Sequence, residues 1–121
     1  MPNIIGICGF FAGIIEKGMF NMVEIKYENG VLTALLKGEI DHHSAADMRI
    51  TIDGETEKLR PRTLILDFSG IGFMDSSGVG LVLGRYKNMS LLGGRLKVVN
   101  IPPRLQKVFA LSGLAALGIL N

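Results

Sequence analysis

The sequence predicts a single α/β domain: a mixed, mainly parallel sheet of four to five strands, with an N-terminal β-hairpin and helices packed on it. Three observations carry that reading. Residues 23–36 hold two short apolar–polar runs joined by Glu28-Asn29-Gly30, which is a hairpin signal. Thr63 to Phe68 is a near-continuous apolar run, as expected of a central strand covered on at least one face. Beyond it, helix-like and strand-like periods alternate, which implies right-handed crossovers between parallel strands.

Val23 to Tyr27 is the first strand and Val31 to Leu36 its returning partner. Gly38-Glu39-Ile40-Asp41-His42-His43 reads as a loop. Ser44 opens a helix, with Asp47 three residues on in a capping-box-like relation. Pro61 stops that helix after about Leu59, and its threonines and Gly54 weaken its intrinsic helicity. After the strand at 63–68 comes Phe73-Met74-Asp75-Ser76-Ser77-Gly78-Val79-Gly80, which opens a second helix over about Ser77 to Leu92. Val79, Val82, Leu83, Tyr86 and Met89 fall at helical spacing, and Gly93-Gly94 ends the run. Arg95 to Ile101 alternates again, with Leu96, Val98 and Asn100 on one face. Pro102-Pro103 starts a third helix, about Arg104 to Leu111, and Gly118 to Leu120 reads as a last short strand.

Composition narrows the function. The chain has 121 residues, 48% hydrophobic and 20% charged, enough for one core and one domain. A net charge of +2 is too small to argue for nucleic acid or an anionic membrane surface. Two tyrosines and no tryptophan argue against a base-stacking platform. Ile4 to Ile15 is apolar and glycine-rich, but shorter than the roughly 18–20 residues of a membrane span. It also lacks the basic flank of a secretory signal. Residues 1–21 are therefore read as a leader outside the domain, with the start expected at Met22 or Met19. The single cysteine, Cys8, lies in that leader, so one chain forms no internal disulfide, which fits a reducing, cytoplasmic setting.

Asp41, His42, His43, Ser76 and Ser77 supply the residue types of a hydrolytic triad. The nucleophile-elbow pattern G-x-S-x-G fails, however, because Met74 and Asp75 stand in the way. Two adjacent histidines point in different directions and make a weak metal pair, so neither an enzyme nor a metal site is expected. Gly78, Gly80 and Gly84 give G-x-G-x-x-x-G inside a helix, without the GK[ST] of a phosphate loop. Ser76, Gly80 and Gly84 recur every four residues instead, a smooth strip that allows close approach to the sheet or to a partner. Asp75 or Ser76 is expected to cap the helix. The two serines sit where unpaired backbone N–H groups and the helix dipole favour added negative charge.

The chain resembles the bacterial anti-sigma factor antagonists, small STAS-domain proteins, and most of all the sporulation anti-sigma F branch. Four segments carry the likeness: Gly38 to Ala45, Leu64 to Phe68, Phe73 to Gly80 with Leu83-Gly84-Arg85-Tyr86-Lys87, and Leu111-Ser112-Gly113-Leu114. The resemblance implies a STAS-like fold over 22–121 and a serine phosphorylated by a partner anti-sigma kinase, here Ser76. The unphosphorylated protein would bind that kinase and free its sigma factor, and a PP2C-type phosphatase would restore binding. Asp75, Ser77, Gly78, Gly80 and Gly84, with Glu39 and Asp41 beside them, would form the kinase-binding face. No cofactor is implied. Against the family pattern, the chain carries the leader 1–21 and is read as lacking the usual last helix. The alternative reading is a nucleotide-binding or transporter-associated STAS module, which saturable nucleotide binding without any kinase would favour.

Overall fold

The computed structural model describes residues 22–120. The leader 1–21 and Cys8 fall outside the described residues. Strand β1 (Val23–Glu28) pairs antiparallel with β2 (Val31–Ile40), and the turn between them puts Asn29 and Gly30 at positive φ. Helix α1 (His42–Leu59) carries the chain to β3 (Thr63–Met74). Helix α2 (Ser76–Leu91) leads to β4 (Arg95–Val99), and helix α3 (Pro103–Leu111) to a short 3-10 turn at Leu114–Leu117. The sheet has four strands in the order β1-β2-β3-β4, with β2, β3 and β4 mutually parallel.

The core lies on one face of this sheet. Ile25, Ala34, Leu66 and Val98 stand side by side across the four strands and are fully buried. Met48 and Ile52 of α1, Leu81, Val82 and Met89 of α2, and Leu105 and Phe109 of α3 close over that face. Phe109 meets Phe68 of β3 edge-to-face, ring centroids 5.2 Å apart, an arrangement that the ring quadrupoles favour. Thr33, Leu35, Ile65 and Asp67 point to the other face and are only partly buried.

Several boundaries differ from the sequence reading, each for a local reason. The segment 38–40 is strand rather than loop. Gly38 takes φ 92° and the ladder shifts register on both sides of it, so β2 resumes pairing through Glu39 and Ile40. Its partner β3 likewise runs on to Met74 instead of ending at Phe68, because Gly70 lets the backbones approach; a Cβ there would lie 2.8 Å from the Leu36 carbonyl oxygen. Helix α1 begins at His42, not Ser44, because Asp41 rather than Ser44 is the cap, and Asp47 takes no part in it. Leu83, one of the apolar residues at helical spacing, is 36% exposed. Asn100 lies beyond β4 at φ 57°, where its amide donates to Asp67 Oδ2 at 3.0 Å. The last short strand is a single parallel bridge, Val98 to Leu120.

Two glycines one half-turn apart in α2 should respond in opposite ways. Gly78 is buried, and a Cβ there would strike the Met74 side chain. Nothing lies within 4 Å of a Cβ at Gly80. Gly78→Ala is expected to lower stability by about 1–3 kcal/mol through overpacking. Gly80→Ala should raise it by about 0.5–1 kcal/mol through helix propensity. Thermal unfolding of the two variants checks this, and equal signs would contradict the packing described.

Candidate functional site

Two parallel strands that end in register build the site. Ile40 of β2 stands opposite Met74 of β3, and Glu39 opposite Phe73. The residue after each strand is an aspartate, and each aspartate caps the next helix. The Asp75 amide donates to the Ile40 carbonyl at 3.1 Å, tying the two strand ends together.

At the first end, Asp41 Oδ1 accepts from the amides of His43 and Ser44, each at 2.9 Å. The Ser44 hydroxyl accepts from the Asp41 amide at 2.9 Å and donates to the Glu39 carbonyl at 2.7 Å. This reciprocal box satisfies free N–H groups at the helix start and fixes the Glu39–Asp41 segment. His42 and His43 pack edge-to-face on each other, ring centroids 5.7 Å apart. Among the described residues no group of three or more His, Cys, Asp or Glu could hold a metal ion.

At the second end, Asp75 Oδ1 accepts from the Ser77 amide at 2.7 Å, and the Asp75 carbonyl from the Gly78 amide at 3.0 Å. Ser76 is the first helical residue and is exposed, while Ser77 is partly buried. The sequence left the cap open between Asp75 and Ser76; it is Asp75.

The small-residue strip faces away from the sheet. Buried Gly78, Leu81, Val82, Arg85 and Met89 define the inner side of α2. Ser76, Gly80, Leu83 and Lys87, at spacings of three and four, lie on the opposite side. Gly80 and Gly84 both border a groove between α1 and α2, lined also by Ala45, Ala46 and Arg49. At its floor Arg85, only 6% exposed, holds Nε 2.8 Å from Asp53 Oδ1, an ion pair off the line of a hydrogen bond. Burial pushes the Arg85 guanidinium below its ordinary pKa, and the nearby Arg49 adds to that, while Asp53 opposes both. Glu39, Asp41, Asp75, Ser76 and Ser77 thus come together at the strand ends, whereas Gly80 and Gly84 run away from them along α2. Sequence reasoning passed over Ser44 as a box partner and Phe73, 53% exposed, as part of the surface. The Asp-x-x-Ser spacing of 41–44 was the available signal for the first.

The family model described as the STAS domain matches residues 22–118. The anti-sigma F factor antagonist of Paenibacillus polymyxa is 35% identical over 92 residues, 76% of this chain and 79% of that protein. The solved anti-sigma factor antagonist SpoIIAA in its unphosphorylated form is 34% identical with a TM-score of 0.72, over 82% of this chain and 85% of that one. The Bacillus cell fate determinant SpoIIAA in the phosphorylated form is 34% identical with a TM-score of 0.65, over 82% of this chain and 88% of that one.

The cap at Asp41 has a pH consequence. The Ser44 amide above all, with the Ser44 hydroxyl and the His43 amide, holds the Asp41 carboxyl below its ordinary value of 3.8 against partial desolvation. The folded state therefore binds this proton less readily than the unfolded chain. The contribution is present above the ordinary carboxylate range and is lost as pH falls through the lowered folded value. Asp41→Asn keeps a good capping side chain. It should change stability little at pH 7 and flatten the loss of stability below about pH 4. Denaturant unfolding at pH 7 and pH 3 measures both; an acid limb as steep as the wild type's would place the responsible carboxylate elsewhere.

Proposed function

The chain belongs to the STAS domain family, among its anti-sigma factor antagonists, and on that premise we propose that it works by partner switching at Ser76. Unphosphorylated, it binds an anti-sigma serine kinase in the cytoplasm and so frees a sigma factor. The kinase transfers the γ-phosphoryl group of Mg-ATP to Ser76 Oγ: the new P–O bond forms as the bond to ADP breaks, and the hydroxyl proton is lost. A PP2C-type phosphatase hydrolyses the phosphoserine and resets the switch. The chain is the substrate of these steps and supplies no catalysis.

One observation carries this reading: Ser76 is exposed as the first residue of α2, behind an aspartate cap and beside a second one. A phosphate adds about −1.5 to −2 charge. The Ser77 amide is already held by the Asp75 carboxylate, and the Gly78 amide by the Asp75 carbonyl. With these two amides already engaged, the phosphate would be displayed at the surface at the strand ends that also carry Asp75 and Asp41. A partner docked there would have to desolvate that charge against like-charged neighbours, so binding is lost without refolding. The relative solved in a phosphorylated form supports the same reading.

Incubation with the anti-sigma kinase from the same source and Mg-ATP should place a single phosphate on Ser76, read by mass spectrometry. Ser76→Ala should remain kinase-bound in the presence of ATP, and Ser77→Ala should still be released. Release of Ser76→Ala by ATP would overturn the assignment.

A further inference from the structure

The groove between α1 and α2 holds positive charge that is only partly neutralised within the fold. Two arginines line it and, among the described residues, no acid does. Arg85, 6% exposed, sits at its floor. Asp53 Oδ1 lies 2.8 Å from its Nε but out of line, so that shielded N–H makes no hydrogen bond. Nη1 reaches the Leu81 carbonyl only at 3.4 Å. Asp53 is shared besides, since Asn88 donates to the same oxygen. Arg49 of α1 is exposed, and it lies close enough to push the Arg85 guanidinium further below its ordinary pKa. Two guanidinium groups thus share one carboxylate. The walls are small: Ala45 and Ala46 on one side, Gly80 and Gly84 on the other, around a cleft of about 190 Å³. A Cβ at either glycine would meet nothing within 4 Å. Packing inside the chain therefore does not require these helix-weakening residues; what they leave is room.

We propose that this groove binds a small oxyanion, a phosphate or carboxylate head on a compact body, between Arg49 and Arg85. A guanidinium presents planar N–H donors that match either head at two points. A buried cation whose donors are incompletely paired gains most from such a ligand, because each unmade hydrogen bond there costs the full desolvation of the group. The anion would supply the counter-charge that Asp53 alone does not, and its body would lie against Ala45, Leu81 and the open backbone at Gly84. Each helix supplies one arginine, so a bound ligand would tie α1 to α2. The site stands apart from the strand ends that gather Glu39, Asp41 and Asp75, since Arg85 lies about 14 Å along α2 from Ser76. It is thus independent of the reading of Ser76.

The test is a titration of the full chain followed by NMR of its N–H groups, with inorganic phosphate, phenyl phosphate and acetate as probes at an ionic strength held constant with NaCl. At least one probe should give saturable shifts at the Gly80 and Gly84 amides and at the Arg85 Nε–H, and none at the Leu111 amide on α3; NaCl alone should give none at any of them. Arg49→Gln, at an exposed position, should raise the dissociation constant about ten-fold or more, while Lys87→Gln, an exposed cation on the other side of α2, should change it by less than about two-fold. Gly84→Leu fills the cleft and should abolish the shifts at Gly80 and Arg85 without lowering the melting temperature. Tighter binding of the two phosphates than of acetate would support the site with a phosphate head, and the reverse order would support it with a carboxylate head. No saturable shift with any probe, equal shifts with NaCl alone, or undiminished affinity in Arg49→Gln would overturn it. With neither kinase nor ATP present, those failures leave the reading of Ser76 intact.

Discussion

Everything at the candidate site depends on one register, the parallel pairing that sets Ile40 opposite Met74. Parallel strands leave a sheet at the same edge and in the same direction. Because β2 and β3 end level, the next residue of each arrives at the same height, and in both cases that residue is an aspartate. Segments that are distant along the chain become one acidic surface with a single serine exposed in it. A shift of one residue in either strand would turn every side chain to the other face, which the buried stripe of Leu64, Leu66 and Phe68 forbids.

The helices hold that edge in place. Helix α1 starts from the Asp41–Ser44 box and α2 from the Asp75 cap, so each is fixed at the end that matters. Further along, Arg85 of α2 reaches Asp53 of α1, and Asn88 donates to the same carboxylate oxygen at 3.4 Å. A buried guanidinium is tolerated only with its counter-charge, so this pair specifies how the two helices sit more than it adds stability. Gly78 completes the arrangement by leaving room for Met74 under the first turn of α2, locking the strand end against the helix that follows.

Much of this was legible in the sequence, and the rest was hidden for physical reasons. The hairpin, the central strand, the three helices and the turn at Asp75 follow from alternation, apolar runs and Asn-Gly or Gly-Gly punctuation. The extensions of β2 and β3 do not. Gly38 and Gly70 are poor strand formers; Gly38 sits there because it takes φ 92° and Gly70 because a Cβ would crowd the Leu36 carbonyl oxygen, which only the paired structure reveals. Asp41 was passed over as a cap because the box partner at Ser44 is itself a common cap residue. Leu83 shares the apolar spacing of α2 yet faces outward, since period alone does not say which apolar positions meet the sheet. The acidic pair Asp41 and Asp75 was legible as composition but not as geometry, since nothing local says that two strand ends are level.

If Ser76 carries the phosphate proposed above, the same geometry decides what kind of switch results. A phosphate at a helix N-terminus is usually stabilised by free backbone amides and the helix dipole, and that gain can reorganise a loop. Here the cap aspartate has already taken the Ser77 amide, and the α2 start is pinned by Met74 beneath it and by Ile40 beside it. A phosphate on Ser76 would therefore find the Ser77 and Gly78 amides already engaged and the start of α2 already pinned. Its free energy would appear only when another surface tried to exclude water from it, as desolvation and like-charge repulsion. A site built this way leaves the fold nearly indifferent to modification and makes the complex acutely sensitive to it, which is what a reversible competition between partners requires.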